Sequence, residues 1–221
     1  MQYAVLFPGQ GSQFVGMGED VFDARPDLLG RRADEVLGWS LRDLCRNGPE
    51  EALTATDRAQ PALYAVAYAL WEAFAEAVDH APVAAAGHSL GEYTALAAAG
   101  AFDFDTGLHL VAARGRAMDR AASVASSGMA ALMGADAESA HALAAARRED
   151  GGRLYVANRN APGQVVVAGG SEDIEWLVEN ARDLGVRRAI PLKVAGAFHS
   201  PFMASAAEEL GAALDAVTFH P

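Results

Sequence analysis

The 221-residue chain holds a single cysteine, Cys45, and a single lysine, Lys193. One cysteine excludes an internal disulfide and a cysteine-based metal cluster, and with them the disulfide-stapled secreted class. The other 16 of the 17 basic residues are arginine, and against 29 acidic residues they leave a net charge of -12. That balance excludes nucleic acid as the main partner, because phosphate contacts require clustered positive charge. Long apolar runs are missing as well. No stretch of about 18 residues escapes a charge or a breaker, so no membrane span or membrane partner is expected. The opening Met1-Gln2-Tyr3-Ala4-Val5-Leu6-Phe7-Pro8 has neither the basic region nor the small-residue cleavage site of a signal peptide. Together these absences predict a cytoplasmic location. Alanine is what abounds, with 50 residues in a chain that is 52% hydrophobic and 21% charged. Such a composition suits a globular, helix-rich protein.

Tyr3 to Phe7 reads as a buried strand closed by Pro8, and the Gly9-Gln10-Gly11-Ser12-Gln13 run after it reads as a loop. Residues 20–60 read as short helices with a turn at Gly48-Pro49. Pro61 is expected to open a helix to Val78 that buries Leu63, Val66, Ala67, Leu70, Phe74 and Val78. A second buried strand, Val83 to His88, runs into Ser89-Leu90-Gly91 and a small-residue helix from Glu92 to Ala99. Asp105 reads as the N-cap of a helix to Ala122. This alternation predicts a parallel sheet covered by helices. From Ser126 the rhythm changes to strand 129–133, helix 136–149, strands 154–157 and 164–168, helix 171–184 capped by Ser171, and strand 187–192. The order β-α-β-β-α-β is that of a ferredoxin-like unit. A small domain, 126–193, is therefore expected as an insertion in a large α/β domain made of 1–125 and 194–221.

Gly87-His88-Ser89-Leu90-Gly91 matches G-x-S-x-G. Between a strand and a helix, that pattern makes a sharp turn that pushes the serine outward. The backbone N–H of Leu90 then faces the place where an oxyanion would form, at a helix N-terminus. The plainer alternative is a tight glycine turn whose serine only caps the helix. A serine nucleophile needs a base. Among six histidines, His199 lies where the chain re-enters the large domain, while His88 points away from Ser89 and supports the turn. Packing remains the alternative role for His199. The Gly9-Gln10-Gly11 loop leaves the first strand at the sheet's carboxyl edge, where ligands of α/β proteins bind. It lacks the lysine of a P-loop and the spacing of a dinucleotide fingerprint. Arg114 sits among apolar helix neighbours. By spacing alone it reads as a snorkelling side chain, with a bidentate fork for a carboxylate as the alternative.

Phe7-Pro8-Gly9-Gln10-Gly11-Ser12-Gln13, Gly87-His88-Ser89-Leu90-Gly91-Glu92-Tyr93, Arg114-Gly115, Asn158, Asn160, Pro162-Gly163-Gln164-Val165-Val166 and Ala197-Phe198-His199-Ser200 resemble, in order and spacing, the malonyl-CoA:acyl-carrier-protein transacylases. The acyltransferase domains of polyketide synthases share the pattern. The resemblance implies a hydrolase-like large domain with a ferredoxin-like insertion, and a ping-pong transfer of a malonyl group. In it Ser89 attacks the malonyl thioester, His199 is the general base, and the amides of Gln10 and Leu90 hold the oxyanion. Arg114 pairs with the malonyl carboxylate, and the phosphopantetheine thiol of an acyl carrier protein takes the acyl group. Gln60, His88 and Asn158 match positions around the pocket. Phe198 and Leu90 match the malonyl-selective version, since a bulky Phe198 crowds an α-methyl branch. Coenzyme A thioester enters as substrate, and no permanently bound cofactor or metal is implied. The family's chain continues well past the position of Pro221. The resemblance therefore implies that the C-terminal part of the large domain is absent here, with the backbone carbonyl that orients the histidine.

Two rival readings remain. A patatin-like lipid hydrolase pairs a G-x-S-x-G serine with an Asp-Gly-Gly turn, and Asp150-Gly151-Gly152 is present, although it also reads as a plain helix terminator. The other rival is a carrier-docking fragment without turnover. Either form of docking to an acidic carrier requires a local basic patch, for which Arg116, Arg120, Arg187, Arg188 and Lys193 are candidates.

Overall fold

The computed structural model describes residues 2–221. The chain separates into two compact units: residues up to Arg116 together with Glu209–Pro221, and Ala117–Glu208. The division falls inside a long helix, ahead of the change of rhythm at Ser126, and residues 194–208 group with the second unit.

The elements of the first unit, in order, are β1 (Ala4–Phe7), α1 (Glu19–Ala24), α2 (Pro26–Leu29), α3 (Arg31–Leu37), α4 (Leu41–Asn47), α5 (Glu50–Thr54), α6 (Thr56–Ala77), β2 (Ala84–Gly87), α7 (Gly91–Ala98) and the greater part of α8 (Phe104–Val124). The two strands pair in parallel, from Ala4 against Ala84 to Phe7 against Gly87. The core is built from the short helices and the inner faces of α6, α7 and α8, with Leu29, Leu41, Leu53, Tyr64, Leu90 and Leu108 all but sealed from solvent. Tyr64 satisfies its buried hydroxyl by donating to the carbonyl of Phe104 at 3.0 Å.

The two strands expected to be buried are largely open, with Leu6 78% exposed and no buried residue in β2, and three expectations about the helices change as well. First, α6 begins at Thr56, so Pro61 lies inside it and not at its start. Proline forgoes the bond to the Asp57 carbonyl, but starting early buries Thr56, Ala59 and Gln60 completely. Second, Leu70 and Phe74 are 49% and 46% exposed, so the buried face of α6 fades after Ala69. Third, Asp103 caps α8, accepting from the Thr106 N–H at 2.8 Å, and Asp105 lies within the first turn.

The second unit continues with β3 (Ser127–Met133), α9 (Ala137–Glu149), β4 (Leu154–Ala161), β5 (Gln164–Gly170), α10 (Ser171–Asn180), β6 (Arg188–Pro191), a single 3-10 turn at Pro201–Met203 and the start of α11 (Ala204–Asp215). Its sheet is antiparallel, with strand order β4-β5-β3-β6. Side chains alternate between two buried faces, as strand geometry requires. Ala130, Leu132, Val165 and Val167 face α9 and α10. Met129, Ala131, Val166 and Ala168 face Ala197, Phe198 and Met203. Asp136 caps α9 through the Ser139 N–H at 2.8 Å. For α10 the cap position is Gly170, and the expected cap Ser171 instead bonds the Ser126 hydroxyl at 2.7 Å. That helix also ends at Asn180, short of the expected Leu184. Among the described residues no helix is long and apolar enough to cross a membrane.

Candidate active site

In the first unit the turn between β2 and α7 is made possible by its glycines. A Cβ on Gly87 would lie 1.9 Å from the carbonyl carbon of Gly91, and one on Gly91 would lie 2.3 Å from the carbonyl oxygen of Phe7. No side chain fits at either position. Between them Ser89 is driven to φ 53, a left-handed conformation that a non-glycine residue adopts at a cost of about 1–3 kcal/mol. The His88 N–H donates to the Phe7 carbonyl at 3.1 Å, extending the ladder to the edge of the turn. His88 is exposed while Leu90 is fully buried, so the turn is anchored on one side only.

The Gly9-Gln10-Gly11 loop packs directly on this turn, since a Cβ on Gly9 would come within 2.6 Å of the His88 carbonyl oxygen. The Gln10 side chain is turned aside to the Thr56 hydroxyl at 3.4 Å. Among the described residues no acceptor takes the backbone N–H of Gln10 or of Leu90. Two amides on adjoining loops are thus available to an oxyanion.

Arg114 projects from α8 and is only 9% exposed. A snorkelling arginine keeps its head in water, and this one does not. Its Nη2 donates to Ser89 Oγ at 2.9 Å and its Nη1 to Gln60 Oε1 at 2.7 Å. Its Cζ lies 5.7 Å from the centre of the Tyr93 ring. Gly115 allows this approach, because a Cβ there would sit 2.9 Å from the Thr56 carbonyl oxygen where α8 crosses the start of α6. Burial pulls the guanidinium's pKa below its ordinary value, and the Tyr93 and Glu92 side chains oppose the shift. Among the described residues no carboxylate forms an ion pair with Arg114. A buried cation whose hydrogen-bond partners are neutral is set up to receive an anion.

In the second unit His199 is, among the described residues, the other non-glycine residue with positive φ, at 56. Its neighbours Ala197 and Phe198 are buried, while His199 is exposed. The Ala197 N–H donates to Ser127 Oγ at 3.1 Å, and the Ser200 hydroxyl donates to the Ala197 carbonyl at 2.5 Å. Phe198 packs its ring among Met129, Ala131, Val166 and Ala168. Asn158 lies half-buried in β4 beside an irregularity at Ala157, opposite Val166. Asp150 is the C-cap of α9 and is followed by Gly151 at φ 86, a plain helix ending.

The first unit therefore joins Ser89, Arg114 and Gln60 by hydrogen bonds, with Gln10, His88 and Leu90 on the loops around them. Phe198, His199 and Asn158 belong to the second unit. Sequence reasoning missed Tyr93, although its place one turn into α7 after Ser89 was a usable signal. It also missed Ser127, which is 70 positions from its partner Ala197.

The acyl transferase domain family matches residues 5–221. The chain is 44% identical over 215 residues to the malonyl CoA-acyl carrier protein transacylase of Bacillus subtilis (strain 168), covering 96% of this chain and 68% of that one. Its fold, with one parallel strand pair and one antiparallel sheet, matches solved structures closely. An acyl carrier protein S-malonyltransferase from Vibrio cholerae superposes with a TM-score of 0.91 at 37% identity, covering 100% of this chain and 72% of that one. A malonyl-transacylase solved in complex with a type II polyketide synthase acyl-carrier protein superposes with a TM-score of 0.92 at 38% identity, again covering 100% and 72%.

Proposed function

The chain belongs to the acyl transferase family, and from that premise we propose that it moves a malonyl group from coenzyme A to the phosphopantetheine thiol of an acyl carrier protein through an ester on Ser89. The observation that carries this reading is the buried Arg114, hydrogen-bonded to Ser89 Oγ at 2.9 Å and without a carboxylate partner among the described residues. The free carboxylate of a malonyl group completes that arrangement, and a guanidinium fork binds it bidentately.

In the proposed reaction Ser89 Oγ attacks the thioester carbonyl and its proton passes to His199. The negative charge that develops on the carbonyl oxygen falls to the Leu90 and Gln10 amides. The tetrahedral intermediate collapses, the carbon–sulfur bond breaks, and the coenzyme A thiol leaves with the proton from His199. The carrier's thiol then gives its proton to His199 and attacks the Ser89 ester, regenerating the serine hydroxyl. Gln60 holds Arg114 throughout, and His88 and Asn158 shape the surroundings. The Phe198 ring crowds an α-methyl branch, a preference worth about 1–3 kcal/mol.

For the architecture, the parallel pair with its helices supports a hydrolase-like reading of the first unit. The β3-α9-β4-β5-α10-β6 order supports a ferredoxin-like reading of the second. Arg187, Arg188 and Lys193 are exposed near β6 and could meet an acidic carrier. The reaction needs coenzyme A thioester as substrate and no resident cofactor, and we place it in the cytoplasm.

The test is Arg114→Ala assayed with malonyl and acetyl donors. Losing a buried charge partner should reduce malonyl transfer about a hundredfold or more while sparing acetyl transfer. Equal losses with both donors would refute the carboxylate role.

A further inference from the structure

We infer that Tyr93 is a positioning residue for Arg114, holding the guanidinium fork beside Ser89 so that the site favours acyl donors with a free carboxylate. The inference rests on the carboxylate role proposed for Arg114.

The cation has a specific problem. It is 9% exposed, and water cannot stabilise it well there. A buried carboxylate would solve that, but it would also occupy the position the substrate's carboxylate must take. The groups present avoid the conflict. Gln60 and Ser89 engage Nη1 and Nη2 with neutral oxygens. The Tyr93 ring lies with its centre 5.7 Å from Cζ, and the negative face of an aromatic ring attracts a cation without carrying a charge. Burial raises the phenol's pKa, so it stays a neutral group.

Tyr93 is itself well fixed. It is 9% exposed on the inner face of α7 and belongs to the core of the first unit. Because α7 begins at Gly91, the turn that sets Ser89 also sets Tyr93. Nucleophile and ring are therefore fixed relative to one another by a single turn of chain.

The experiment measures binding of malonyl-CoA and acetyl-CoA by calorimetry in a Ser89→Ala background, which removes turnover. Arg114→Ala, Tyr93→Leu and Tyr93→Phe are compared in that background, each checked for folding by its melting curve. Arg114→Ala should weaken malonyl-CoA selectively. Tyr93→Leu, losing ring and hydroxyl, should weaken malonyl-CoA about tenfold more than acetyl-CoA, the size of a desolvated cation–π contact. Tyr93→Phe keeps the ring and the packing, and should leave the ratio of the two affinities unchanged. If folded Tyr93→Leu weakens the two donors equally while Arg114→Ala stays selective, Tyr93 only packs and the inference is overturned with Arg114's role intact. If Tyr93→Leu does not fold, Tyr93→Met, which also removes the ring, decides, and an unchanged donor ratio there overturns the inference. An unselective Arg114→Ala overturns both.

Discussion

Ser89 and His199 are the two non-glycine residues, among those described, that hold a left-handed backbone, at φ 53 and φ 56. The two loops reach that conformation by different means. Around Ser89 it is enforced by contacts so close that only glycine is possible at Gly87 and Gly91. Around His199 the exclusion is one-sided, at Gly196, where a Cβ would lie 2.7 Å from the Cβ of Ala122. There the buried Ala197 and Phe198 anchor the chain, and two hydroxyls, from Ser127 and Ser200, hold the Ala197 peptide. Strained backbone persists only where its surroundings over-determine it. One loop achieves this with steric walls on both sides, and the other with a single close approach on one side and hydrogen bonds drawn partly from β3.

Breaking the two residues themselves should give the largest effects. Ser89→Ala should abolish transfer, by about 10^4-fold or more. His199→Ala should come close to it in a steady-state assay. A patatin-like Ser–Asp hydrolase would instead tolerate the histidine change, so retained activity in His199→Ala would sink the present reading.

Breaking the supports should then separate the loops. Gly91→Ala sets a Cβ 2.3 Å from the Phe7 carbonyl oxygen, and should destabilise the first unit by about 3 kcal/mol or more, read as a lowered melting temperature. Ser127→Ala removes one acceptor from the His199 loop and should cost only about 1 kcal/mol. Its clearer sign should be a reduced kcat with KM nearly unchanged. A Ser127→Ala protein as unstable as Gly91→Ala would erase the distinction drawn between the loops.

The smallest effect concerns Cys45, which is fully buried in the first unit and whose thiol is pushed up to about 12 by that burial. At pH 8 it stays protonated, so alkylation of the native protein should be negligible and should become complete in denaturant. Rapid native labelling in Gly91→Ala, but not in Ser127→Ala, would show that only the first loop's supports reach the core.

This difference also explains what could be read in the amino-acid sequence. The Ser89 turn was legible because its glycines lie next to it in a short pattern between a strand and a helix. The extent of α9, expected over 136–149 and found at Ala137–Glu149, was legible in the same local way. The start of α6 was not, because proline's local preference lost to the burial of Thr56, Ala59 and Gln60 in tertiary contacts. The outward turn of Leu70 and Phe74 was equally hidden, since helical spacing marks a face without saying how far along it the core extends. Arg114 showed the limit most clearly. Its apolar neighbours suggested a side chain reaching for water, and only the crossing of α8 over α6 at Gly115 carries it inward to Gln60. Ser127 could not have been associated with the His199 loop without the fold.

The most direct measurement is the mapping of the acyl adduct after brief exposure to malonyl-CoA, by intact mass and then by peptide. A single malonyl group on Ser89, absent in Ser89→Ala and not replaced by an acetyl group when both donors compete, is the predicted result. A folded protein that takes up no malonyl group, or takes it up at another residue, would contradict the assignment of Ser89 and Arg114 to one acyl-transfer site.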